Sequence, residues 1–192
     1  MIYRVKKDPT SLIVQPVTTS RAPGNVPYLI DNLWEWLRPA DYASRRTAAF
    51  ASPTAELAAA GASGSVQDAW GLELLDGQPA FQITGGKNPA DARHHEDIRR
   101  LQRLVVSDSL RAAWWGLPVG QRGPEATLFL PSVTKSEMDE AIAASTTLDG
   151  ELIRKASTFW ADVTAFDAAL PPPHPTGEIF FSGAYRLVPL NN

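Results

Sequence analysis

An α+β fold is predicted by three observations. Short β-type runs stand at both ends of the 192-residue chain and in its middle, helical patterns cluster between them, and no regular strand–helix–strand alternation appears. Alternation would indicate a doubly wound parallel sheet, so its absence favours segregated strands and helices. With 44% hydrophobic residues the chain can bury one sizeable core, and it is short for two domains, so a single domain over 1-192 is expected.

The elements follow in order. Ile2-Tyr3-Arg4-Val5 and Leu12 to Val17 read as strands, the second edged by Pro16. Tyr28 to Leu37 lies between Pro27 and Pro39 and places Leu29, Leu33, Trp36 and Leu37 on one helical face. Thr47 to Ala51 is a short strand leading into Ser52-Pro53, an N-cap followed by proline at the first helical position, with the helix ending at Gly61. Val66 to Leu75 and Ala80 to Thr84 flank Asp76-Gly77 and read as a β-hairpin. Gly85 to Pro89 is a loop, Asp91 to Val105 a charged helix, and Ser107-Asp108 caps a helix carrying Leu110, Trp114 and Trp115. Ala126 to Leu130 is a strand candidate. Thr134-Lys135-Ser136-Glu137 is a capping box opening a helix to Ala144. A last helix, Leu148 to Ala168, repeats Leu148, Leu152, Ala156, Phe159, Val163 and Phe166 on one stripe. Pro171-Pro172-Pro173 then forces an extended approach to the terminal strand, which starts after Glu178 and breaks at Ser182-Gly183.

Composition removes several function classes. A net charge of -3 gives no bulk attraction for nucleic acid or an anionic membrane. The chain has no cysteine, so disulfides and thiolate metal sites are excluded. The opening residues lack the charge order and apolar core of a secretory signal, no stretch is apolar enough to cross a membrane, and a soluble, cytoplasmic protein is expected, one delivered into a target cell included.

Reactive motifs are few. His94 and His95 diverge by about 100° on a helix and do not face one ion, so no metal is expected. No G-x-S-x-G elbow is present, and Thr84-Gly85-Gly86-Lys87-Asn88 is too short for a phosphate-binding P-loop. The helical tryptophans fit core packing. Three segments remain: Tyr3-Arg4-Val5, whose arginine should emerge opposite its apolar neighbours; the basic loop Arg38 to Arg46 running into Ala48-Ala49-Phe50-Ala51-Ser52; and Gly177-Glu178-Ile179-Phe180-Phe181.

Together, an arginine in an opening YRV strand, a serine closing AAFAS and a glutamate leading EIFFSGAYRLV resemble the R-S-E pattern of the ADP-ribosyltransferase superfamily. RPADYASRRTAAFAS is also similar to a segment of its small bacterial and phage members. The likeness covers about a fifth of the chain in three short pieces, and rests on their order and spacing.

The resemblance implies a split mixed/antiparallel β-sheet core with flanking helices, and NAD as substrate. It implies that Glu178 is the catalytic acid residue, that Arg4 contacts the dinucleotide phosphates and ribose, and that Ser52 shapes the nicotinamide-ribose pocket. Ser44 is a rival for the hydroxyl role, and Arg45 or Arg46 share phosphate binding. A macromolecular acceptor, typically protein, completes the reaction, in a toxin, injected effector or phage host-modifier. Arginine-modifying members carry an acid or glutamine two residues before the glutamate; Thr176 stands there, which disfavours arginine as acceptor. The chemistry is physically sound: a fixed carboxylate bonded to the ribose 2′-hydroxyl stabilises the oxocarbenium-like charge of the transition state, and arginine offers a permanent bidentate charge to a diphosphate. The competing expectation is a non-catalytic binding protein, an inhibitor or immunity factor, using the tryptophan-bearing helices and the Arg38 to Arg46 loop as an interaction surface.

Overall fold

The computed structural model describes residues 1–22, 24, 26–84, 123–144 and 156–190. The predicted loop at Gly85 to Pro89, the helices at Asp91 to Val105 and after Ser107, and the start of the helix at Leu148 lie outside them, as do His94 and His95. The rest is α+β, with two antiparallel four-stranded sheets and three α-helices among the described residues. It divides into two compact units, one made of Met1–Ser20, Ala40–Arg93 and Asp162–Asn192, the other of Arg21–Pro39 and His94–Ala161.

The first unit holds both sheets. Strands β1 (Ile2–Val5), β2 (Ile13–Val14), β3 (Ala49–Ala51), β4 (Ala69–Leu74), β5 (Ala80–Ile83), β6 (Val163–Phe166), β7 (Ile179–Phe181) and β8 (Tyr185–Val188) sort into the orders β1-β4-β8-β2 and β3-β7-β5-β6. Ile2, Leu72, Tyr185 and Leu187 of the first sheet and Ala51, Ala80, Ile179 and Phe181 of the second form one buried cluster. Each large side chain so buried stabilises the fold by about 1.5–3 kcal/mol relative to exposure. The apolar run Ile179-Phe180-Phe181 is buried on both faces of its strand. Ile179 and Phe181 enter the shared core, while Phe180 stacks on Phe81 at 5.5 Å, and Tyr42 covers Phe81 at 4.6 Å.

Several expectations are corrected here. The Asp76-Gly77 hairpin does not form, because β4 pairs with β1 and β8 while β5 pairs with β6 and β7. The turn residues serve a crossover between sheets: Gly77 takes φ 62°, and the Asp76 carboxylate accepts from Ala184 N–H at 2.7 Å. The helix cap belongs to Thr54, whose hydroxyl accepts from Leu57 N–H at 3.2 Å at the start of helix α2 (Ala55–Gly61). Ser52 lies two residues before that cap, and its N–H and C=O pair with Tyr3 at 2.8 Å each in an isolated bridge. Val163 and Phe166, placed on a helical stripe by their spacing, lie in β6 beside β5. The first strand of the predicted hairpin begins at Ala69, since Val66–Asp68 is a 3₁₀ turn capped by Ser65. The Leu12 to Val17 run keeps only Ile13–Val14 as strand.

Among its described residues the second unit carries helix α1 (Tyr28–Trp36), a 3₁₀ stretch over Pro124–Phe129 and helix α3 (Lys135–Ala144). The strand expected at Ala126 to Leu130 is therefore mostly 3₁₀, led in by Gly123 and a proline that suits a helical start. Trp34 packs on Phe159 and Trp160, with ring centroids 5.6 and 4.7 Å apart, and the Trp160 indole donates to Trp34 C=O at 2.9 Å. The capping box forms as expected: Thr134 N–H and hydroxyl reach Glu137 Oε2 at 2.8 and 2.7 Å, and Glu137 N–H returns to Thr134 Oγ1 at 3.3 Å. Both hydrogen bonds from Thr134, the backbone one foremost, hold the Glu137 carboxyl below its ordinary value. Asn32, wholly buried, donates to Leu128 C=O and Leu130 C=O at 2.8 Å each and accepts from Val133 N–H at 3.2 Å.

Candidate functional site

The two sheets of the first unit meet where Tyr3 of β1 pairs with Ser52, the residue following β3. Ala51 lies opposite Ile179 in the β3–β7 register, so the next pair outward brings Ser52 beside Glu178. Three residues at positions 4, 52 and 178 are thus drawn to one place by strand pairing. They line a cleft of about 240 Å³ together with Tyr3, Val5, Phe50, Ala51, Gly177 and three small residues at the end of α2, Ala58, Gly61 and the C-cap Ala62. A helix face without bulk lets the cleft persist against β1.

Arg4 reaches the cleft by a different route from the one expected. Ile2 is fully buried, whereas Tyr3, Arg4 and Val5 are all half-buried, so Arg4 continues the side of the strand that carries the core residue. Period-2 alternation pairs residues 2 and 4, and the core belongs to residue 2. The Arg4 guanidinium lies 5.9 Å from the centroid of the buried Tyr185 ring.

Glu178 is held by its neighbours along the chain. Gln82, fully buried on β5, donates to His174 C=O and Thr176 C=O at 2.9 Å each and accepts from His174 N–H at 3.0 Å. Gly177 adopts φ 104°, and a side chain there would start 2.0 Å from the Ile83 carbonyl oxygen. Ile83 N–H in turn donates to Glu178 C=O at 2.9 Å. The proline-rich approach is therefore clamped by an amide, squeezed through a glycine and stitched to β5 just before the carboxylate emerges.

The basic loop lies over the second sheet. Arg45 places Nη1 2.6 Å from Glu178 Oε1, and its guanidinium sits 4.9 Å from the Phe50 centroid and 5.4 Å from that of Phe180. Ser44 shapes the turn: its hydroxyl accepts from Arg46 N–H at 3.2 Å, and its carbonyl accepts from Thr47 N–H at 3.2 Å. Arg46 is buried. Arg4, Ser52 and Glu178 converge, Arg45 joins them through Glu178, and Ser44 and Arg46 are not among the described residues that line the cleft.

Gln82 and Gly177 were not singled out from the sequence, although a polar residue inside Ala80-Phe81-Gln82-Ile83 is a visible signal of a buried hydrogen-bonding duty. Among the described tryptophans, Trp34 and Trp160 are buried, and Trp36 and Trp70 donate to Asp139 at 2.7 Å and Lys6 C=O at 3.0 Å. No helix of the described residues is long and apolar enough to cross a membrane.

The arrangement is a cleft of mixed polar and apolar lining, with the cation of Arg4, the carboxylate of Glu178 and the hydroxyl-bearing residues Tyr3 and Ser52, at the seam of two antiparallel sheets in an α+β fold. In comparisons with known proteins, no family model, no curated protein and no solved structure matches the chain.

Proposed function

We propose that the chain cleaves the nicotinamide glycosidic bond of NAD and transfers ADP-ribose to a macromolecular acceptor, a protein side chain other than arginine. The observation that supports this reading is the convergence of Arg4, Ser52 and Glu178 on one cleft, in the chain order of the R-S-E pattern. An ADP-ribosyltransferase-like fold is the finer reading of the two antiparallel sheets that meet at the Tyr3–Ser52 bridge.

The chemistry asks little of the protein beyond placement and charge. Arg4 would hold the diphosphate, Ser52 the nicotinamide ribose, and the Glu178 carboxylate the ribose 2′-hydroxyl. As the bond from ribose C1′ to the nicotinamide nitrogen breaks, its electron pair leaves with neutral nicotinamide, and an acceptor nucleophile bonds to C1′ and gives up its proton. A fixed anion near C1′ favours that charge distribution over the ground state. At about 240 Å³ the cleft is smaller than sites that enclose a whole ligand, roughly 300–1,000 Å³, so it suits one nucleoside portion with the remainder running into solvent. Thr176 is exposed, and its carbonyl is taken by Gln82, which fits the absence of an arginine-selecting acid at that position. A toxin, effector or phage-borne host modifier acting in the cytoplasm is the setting such chemistry would serve.

Nicotinamide release from NAD, followed by chromatography with and without cell lysate, tests the reading. Glu178→Gln is expected to lower release by about 100-fold or more while the circular dichroism spectrum and melting temperature stay close to wild type. Equal release by the two proteins would sink the assignment.

A further inference from the structure

Of Arg4, Arg45 and Arg46, the arginines expected at the dinucleotide phosphates, Arg4 is the one that lines the cleft among the described residues. Arg45 instead contacts the carboxylate of Glu178 from the side of the basic loop, with 13% of its side chain exposed against 23% for Glu178. We propose that Arg45 is the positioning residue for Glu178, holding the carboxylate aimed, and that Arg4 carries the diphosphate; the inference rests on the NAD reading above.

Three features of the site argue for it. The contact is charge-assisted and short, with Nη1 2.6 Å from Oε1, the kind of bond that sets direction as well as energy. Among the described contacts it engages Oε1, which leaves Oε2 with the capacity to accept from a ribose hydroxyl. The guanidinium itself is restrained, because it lies over the rings of Phe50 and Phe180, and Phe180 is fully buried. Phe50 and Phe180 are register partners on adjacent strands, so the sheet builds the platform on which Arg45 rests. The loop that delivers Arg45 is closed by Ser44 through its bonds to Arg46 N–H and Thr47 N–H, which gives Ser44 a part in aiming the pair without entering the cleft.

A glutamate side chain has three rotatable bonds, and a carboxylate that must meet one hydroxyl in the transition state gains from having them fixed beforehand. An arginine is suited to that task because it stays charged at any working pH and lies flat against aromatic rings. Lysine shares the charge but neither the fork nor the flat face.

The test compares Arg45→Met, Arg45→Lys and Arg4→Met in steady-state nicotinamide release. Arg45→Met is expected to lower kcat by about 10–100-fold with KM for NAD within about twofold of wild type, and Arg45→Lys to fall between. Arg4→Met is expected to show the reverse split, its KM rising most. A raised KM with unchanged kcat in Arg45→Met would make Arg45 a phosphate contact and overturn the inference alone. A second measurement needs no NAD: urea midpoints of wild type, Arg45→Met, Glu178→Gln and the double variant. Non-additive shifts, with the double variant no less stable than Arg45→Met, are expected for a working pair; additive shifts overturn it. Coupled midpoints in a protein that releases no nicotinamide would overturn the NAD reading and leave the pair without a catalytic role.

Discussion

Gln82 in the two-sheet unit and Asn32 in the second unit are both fully buried amides, and among the described contacts each donates twice to main-chain carbonyls and accepts from a main-chain N–H. Their settings differ. Asn32 projects from a helix and grips 128, 130 and 133, a stretch that leads into the capping box of α3, with buried partners at Leu128 and Val133. Gln82 projects from a strand and grips His174 and Thr176, on part-buried bonds, four and two residues before Glu178. The same chemical device thus holds a helical connection in one unit and, in the other, the segment that brings the Glu178 carboxylate to the cleft. A buried polar side chain becomes informative about function when the segment it holds ends at a cleft.

Removing each amide separates the two roles. Asn32→Leu leaves buried main-chain groups unpaired and is expected to cost about 3–5 kcal/mol in urea unfolding, with kcat of the folded fraction near wild type. Gln82→Leu is expected to cost less, about 2–3 kcal/mol, because water can reach His174 and Thr176, yet to lower nicotinamide release by about tenfold or more. Equal activity losses in the two variants would erase the distinction.

A smaller change sharpens the same contrast from the backbone side. Gly177→Ala puts a methyl against the Ile83 carbonyl at a φ of 104°, which L-residues rarely adopt. The expected loss is about 2 kcal/mol in stability, with a fall in nicotinamide release that exceeds what the unfolded fraction explains. Unchanged kinetics would show that Glu178 is placed independently of its approach.

The smallest effect concerns the helix caps. Glu137 is lowered below 4.5 by the Thr134 bonds in the second unit, and Glu56 by its own backbone N–H and the Thr54 hydroxyl beside the cleft. A carboxyl lowered in the folded state stabilises fully above its unfolded value and loses that contribution as pH falls through the folded value. Glu137→Gln and Glu56→Gln should therefore each lower the melting temperature slightly near neutrality, where the contribution is complete, and flatten its decline below about pH 4.5. A steeper decline in either variant would contradict the caps.

What could be read from the sequence was local. The Ile2–Val5 strand, helix α1, the Thr134 capping box and the buried Ile179–Phe181 run follow from periodicity, proline placement and side-chain chemistry within a few residues. The misreadings were non-local or ambiguous in period. Asp76-Gly77 has the chemistry of a hairpin, but strand partners are chosen by buried faces far away in sequence, and β4 and β5 found theirs in different sheets. Val163 and Phe166 are three apart, which suits a helix stripe, while a four-residue strand is too short to declare its own period. Ser52 had two claims on it; its backbone pairs with Tyr3 in a bridge, and the cap is Thr54. Of the site, Arg4, Ser52 and Glu178 were legible as an ordered trio. The bond between Arg45 and Glu178 spans 133 residues and leaves no trace in local pattern, so Arg45 was expected at a phosphate.

Of the four places where the described chain changes sheets, two lie close together, from Leu74 to Ala80 and from Phe181 to Tyr185, and Asp76 of one crossover accepts from Ala184 N–H of the other. The four strands they join, β4, β5, β7 and β8, are the central strands of their sheets, so neither sheet can open at its middle without pulling on its companion. Hydrogen exchange in β4, β5, β7 and β8 should therefore report a single opening free energy, one foldon spanning both sheets, whereas the seam at Tyr3 and Ser52 is free to breathe at lower cost. Cooperativity at the crossovers with latitude at the seam is the mechanical condition for a cleft that admits a ligand without unfolding its walls.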